Sequence, residues 1–171
     1  MHTSRIIRSA LAVCSLPVLS CLMLAAPSSS APSMGILAQS GTLCYSANIT
    51  INDNTDAALS KQAEAIMLKT LHGLALSATQ YDAADTCDRE LIFVFSVANA
   101  EAPTVYTNTL ELDSYSATDG PVKLIRATVW TEGYWGGDAK VLSPTTYTRR
   151  MQTDLARLLS KFTADYRSVV K

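Results

Sequence analysis

The sequence predicts one α+β domain: a four-stranded mixed sheet in the order β-α-β-β-β-α, with two helices packed on one face. Three observations carry this. Leu91–Val97 is a nearly unbroken apolar run, preceded by Asp88, Arg89 and Glu90 and followed by Ala102-Pro103. It is too short for a membrane span and has the β-branched and aromatic bias of a strand buried on both faces. Two stretches with helical periodicity, one before it and one at the chain end, supply the covering layer. Between them lie two alternating stretches joined by a strong turn signal.

The first forty residues stand apart. Arg5 and Arg8 precede Ser9–Ala26, a run almost free of charge, which reads as the n-region and h-region of an export signal. Its end has rival readings. Val18-Leu19-Ser20-Cys21 resembles a lipobox, with Cys21 as the lipidated residue, but Leu22–Ala26 stays apolar where a polar tether is usual. Ordinary signal peptidase needs small residues; Ala26 is followed by Pro27, so Ser33 or Ala38 fits better. The division is therefore 1–38, export signal and Ser/Pro-rich linker, and 39–171, a single domain. The destination is periplasm or cell envelope, or secretion, with membrane attachment only through the signal or a lipid on Cys21.

Leu43–Ile51 is the first strand, with Ala47, Ile49 and Ile51 alternating against Asn48 and Thr50. Asn52–Asp56 turns the chain into a helix. Its Asn52/Asn54/Asp56 spacing suggests a calcium loop, but Ala57 and Ala63 stand where such a loop needs Gly and Glu. Capping by Asp53 or Asn54, with Asp56 at the positive helix end, is the better account. The helix runs from Thr55 to Ser77, with Leu59, Ala63, Ile66, Met67, Leu71 and Leu74 on one face. Gly73 weakens its last turn. Gln80–Cys87 is an acidic loop carrying Asp82 and Asp85.

A helix joining the first strand to Leu91–Val97 makes the two parallel neighbours. Cys44 and Cys87 then lie at the same end of the sheet, within reach of a disulfide, as suits an oxidising compartment. Val105–Tyr115 and Val122–Thr131 form an antiparallel hairpin across Asp119-Gly120-Pro121. Ser143-Pro144 opens the closing helix, whose stripe is Met151, Leu155, Leu158, Leu159, Phe162, Tyr166 and Val169.

Between hairpin and helix lies Trp130-Thr-Glu-Gly-Tyr-Trp-Gly-Gly137. Trp130, Tyr134 and Trp135 are candidate ligand-binding residues, an aromatic platform for a sugar or an apolar chain. The competing reading is a turn whose aromatics fold back over the sheet edge or the last helix.

Several chemistries have no signature here. There is no Walker loop, Gly-x-Ser-x-Gly, Gly-x-Gly-x-x-Gly or His-Glu-x-x-His. His72 is the only histidine past residue 2, and it falls mid-helix. Catalytic residues, metal ligands and cofactors are therefore set at none. Beyond residue 38 the chain has 12 basic and 15 acidic residues, a net charge of −3 without a basic patch, which argues against nucleic acid.

The element order is similar to that of small bacterial envelope proteins, in particular the lipopolysaccharide-assembly lipoprotein and the auxiliary lipoproteins of envelope transporters. The resemblance covers element order alone, and no residue role comes with it. It implies a non-enzymatic exported binding or accessory factor whose partner is an envelope protein or an apolar or glycan ligand. A carboxylate-based hydrolase of the cell envelope is the alternative.

Overall fold

The computed structural model describes residues 31–82, 87–117 and 124–170. The export run, Cys21, Asp85 and the Asp119-Gly120-Pro121 turn lie outside them. The fold is α+β, with two helices and a mixed sheet. The sheet has six strands, where four are expected: β1 (Leu43–Ile51), β2 (Asn54–Thr55), β3 (Thr79–Gln80), β4 (Arg89–Ala98), β5 (Thr104–Ala117) and β6 (Leu124–Asp138). The helices are α1 (Ala57–Gly73) and α2 (Pro144–Val169), and a 3-10 segment, Ala31–Ala38, precedes β1. The two additional strands are two residues each, too short for any periodicity. They exist because they pair with β1, β2 antiparallel at Thr50 and Ile51 and β3 parallel at Cys44 and Tyr45.

The strand order is β2-β1-β4-β5-β6, with β3 beside β1. As the connecting helix requires, β1 and β4 run parallel, with Cys44 opposite Glu90. Cys44 and Cys87 are disulfide-bonded, their Cα atoms 5.9 Å apart. A disulfide fits an exported protein.

One sheet face is the core. Leu91, Phe93, Phe95 and Val97 of β4 are buried there with Leu59, Met67 and Leu71 of α1 and Met151, Leu155 and Phe162 of α2. The expectation that β4 is buried on both faces fails. Ile92, Val94 and Ser96 point to the other, open face and are only half-buried. An apolar residue on a half-covered face looks the same in sequence as one in the core.

Local chemistry sets the helix ends. Asn52 and Asp53 both take positive φ, 50° and 64°, which lets the chain reverse between β1 and β2 in two residues. Of the expected caps, Asp53 lies in this reversal and Asn54 pairs with Ile51 in β2, so neither caps the helix. Asp56 is the N-cap of α1 instead, accepting from Leu59 N at 3.0 Å. The helix ends at Gly73, earlier than the expected Ser77. Ser143 caps α2, accepting from Thr146 N at 3.3 Å, with Pro144 in the first turn.

Candidate functional site

The open face of the sheet is built by alternation. Residues directly opposite across neighbouring strands share a face, so Thr50, Ser96, Thr107 and Trp135 form one row from β1 to β6. Trp135 ends the row and is 84% exposed, the most exposed large apolar side chain among the described residues. Its neighbours on the same face of β6 are Gly133 and Gly137, so nothing on its own strand shields either side of the indole.

Beside it, at the carboxyl ends of β1 and β4, is a groove of about 620 Å³. Thr50, Ser96 and Thr107 line it, as do Pro103 of the β4–β5 connection and Val105 of β5. The Ala102–Pro103 peptide is cis. Behind the groove, buried Asn99 holds three loops together. Its backbone N–H donates to Asn52 Oδ1, its side chain donates to Leu142 O at 2.8 Å, and its Oδ1 accepts from Leu142 N and Thr104 Oγ1. Asn99 thereby ties the β4–β5 connection to the β1–β2 turn and to the segment before α2.

The structure does not bring the three candidate aromatics together. The Trp130–Gly137 segment is no turn; β6 runs straight through it, and the glycines serve close approach. A Cβ on Gly136 would come within 2.3 Å of the Tyr106 hydroxyl, which lies across it and accepts from Arg150 Nη1 at 2.7 Å. Trp130, an odd number of residues from Trp135, faces the opposite way. It is buried, edge-on to Phe162 with ring centroids 5.4 Å apart. Tyr134 shares that face and is covered by the Arg157 guanidinium, 4.2 Å above its ring. Of the three, only Trp135 is exposed to solvent.

Trp130 carries an electrostatic anchor. Its Nε1 donates to Asp165 Oδ2 at 3.0 Å, and Lys161 donates to both carboxylate oxygens at 2.7 and 2.6 Å. Burial works against the Asp165 charge, but the hydrogen bonds from Lys161 and Trp130 outweigh it and hold the pKa below the usual aspartate value. The native carboxyl thus releases its proton more readily than the unfolded one. Its stabilisation is fully present above about pH 4 and is lost as pH falls through the lower native pKa. Wild type should therefore melt above Asp165→Asn at pH 7, and the gap should close as the pH is taken well below 4. An unchanged gap across thermal melts at both pH values would refute this coupling.

The acids of the open face lie elsewhere. Glu90 and Asp113 are directly opposite on β4 and β5, and both are buried. Glu90 accepts from Ser46 Oγ and Tyr115 OH, each at 2.7 Å, and Asp113 accepts from Arg126 Nε. Burial, then the Glu90 bond, raises the Tyr115 pKa far above its ordinary value. A bulge places Arg126 there: the register with β5 skips Val129, so residues on either side of it exchange faces. These carboxylates are committed to an internal network by the β1–β4 strand starts, away from the groove. His72 is exposed on α1. No group of three His, Cys, Asp or Glu among the described residues is placed to hold a metal ion.

The hydroxyl row and the buried acids escape sequence reasoning because both depend on cross-strand register. The two glycines flanking Trp135 were the available signal for its isolation. No protein-family model matches the chain, and no match is found among curated proteins. Among solved structures, the chain is similar to a dodecameric PelC variant from Paraburkholderia phytofirmans. The identity is 16%, the match covers 70% of this chain and 83% of that one, and the TM-score is 0.39. So slight a likeness carries neither fold detail nor function across.

Proposed function

We propose that the chain is a non-enzymatic exported protein of the cell envelope, a binding or accessory factor whose ligand is a saccharide stacked on Trp135. One observation carries this reading: an 84% exposed indole, flanked by glycines, on a strand paired with β5 along its length. Leaving so large an apolar side chain in water forgoes the roughly 1.5–3 kcal/mol that burying one contributes, which a ligand ring stacked on the indole would recover. Sugar rings offer an apolar C–H face to an indole and hydroxyls at their rim. Thr107 is the neighbour of Trp135 across the strand pair, and Ser96 and Thr50 continue the row for further sugar units, with Thr50 Oγ1 bonded to Ser96 Oγ at 2.9 Å. An apolar chain laid along the groove would strip water from these groups without replacing their bonds. The disulfide supports an oxidising destination, and among the described residues no helix is long and apolar enough to cross a membrane.

The test uses the difference between the two tryptophans. Trp130 is buried and Trp135 is not, so ligand-induced change in emission reports on Trp135. Titration with a panel of neutral and charged oligosaccharides should give a saturable change with at least one. Trp135→Ala should abolish that binding and shift the melting temperature by no more than about 2 °C, since exposed substitutions stay within about 0.5 kcal/mol. Undiminished binding by Trp135→Ala, or no response to any saccharide, would defeat the proposal.

A further inference from the structure

The sequence offers four ends for the export signal, Cys21, Ala26 (disfavoured by Pro27), Ser33 and Ala38, and the packed structure discriminates among them. Met34 is completely buried and Leu37 nearly so, at 0% and 5% exposure, within the same core as Phe93 and Phe162. The 3-10 segment that carries them lies against α2 and β6. The chain that follows is tied to the start of β4. Arg89 is buried, and its guanidinium donates to three carbonyl oxygens: Ile36, Gln39 at 3.0 Å and Gly41 at 2.7 Å. Thr42 N donates to Asp88 Oδ2 at 2.6 Å, and Thr42 O accepts from the backbone N–H groups of Asp88 and Arg89.

Each late cut conflicts with this packing. Cleavage after Ala38 removes both core side chains and one of the carbonyls holding Arg89. It also creates a positively charged amino group on Gln39, the residue whose carbonyl already accepts from the Arg89 guanidinium, and so brings two like charges close together. Cleavage after Ser33 places the new ammonium on Met34, whose side chain has no exposed surface, and burying an unpaired charge is costly. We infer that the export signal is removed upstream of Met34 and that residues 34–42 are a working part of the mature fold, latching α2 to the start of β4. A cut after Ala26 or before Cys21 with lipidation satisfies this equally.

The full-length precursor, produced in an exporting bacterium, tests it by intact mass and N-terminal sequencing. The expected product begins ahead of Met34, whether acylated on Cys21 or not. A product beginning at Met34 or Gln39 overturns the inference. Independently of export, Met34→Asp in the full chain should lower the melting temperature by more than about 5 °C or prevent folding. A Met34→Asp protein that melts with wild type shows that the segment is not part of the core, and overturns it too.

Discussion

Replacing Cys44 and Cys87 together by alanine is expected to cost about 4 kcal/mol of unfolding free energy, a large share of a domain's usual 5–15 kcal/mol. The bridge joins residues 43 apart in sequence, and chain-entropy arguments give that magnitude for a loop of this length. The closed loop contains most of β1, all of α1 and both two-residue strands. Strands as short as β2 and β3 have no independent stability. They form because β1 is held in place, by nine residue pairs with β4 and by the disulfide at the register Cys44–Glu90. Without the bridge, β1 and the two short strands on its outer edge should open first. Denaturant midpoints of the double variant and wild type measure the effect. Denatured, unreduced wild type should show no reactive thiol from this pair. A loss under 1 kcal/mol would mean that the unfolded chain is already restrained there by other structure.

Trp130→Ala should cost roughly 3–5 kcal/mol, as truncating a buried aromatic does. The indole fills the space between β6 and α2, meets Phe162 edge-on, and donates to Asp165. Truncation leaves a cavity and withdraws one donor from a carboxylate that burial already disfavours. Trp130→Phe should recover part of the packing but not the hydrogen bond, and so fall between. Urea unfolding at constant slope separates the three proteins. The contrast with Trp135→Ala, five residues along the same strand, is the sharper test: one change should be felt by the fold and the other only by the ligand. Equal stability losses at both positions would show that the face assignment of β6 is wrong.

Much of the architecture was legible in the chain. The apolar period of α2 and its Ser143-Pro144 start, the strand–helix–strand order and the pairing of Cys44 with Cys87 all follow from local patterns and the rule that a helix joins parallel strands. The six-stranded count was not, because β2 and β3 consist of residues whose only strand character is their partner. The aromatic segment was legible as distinctive but not as a strand. Glycines suggest a turn, whereas here Gly136 admits the Tyr106 ring and Gly133 and Gly137 leave Trp135 bare.

By itself, then, the sequence determined the fold class, the parallel core of β1 and β4, the disulfide and the closing helix, since each is written in a local period or a fixed spacing. Tertiary structure decided which aromatic meets solvent, where the buried acids lie, and that Met34 and Leu37 belong to the core. The physical reason is that a side chain's face depends on register. A strand alternates every residue, one bulge at Val129 inverts the alternation, and Met34 and Leu37 are buried only because the short segment that carries them lies against α2 and β6.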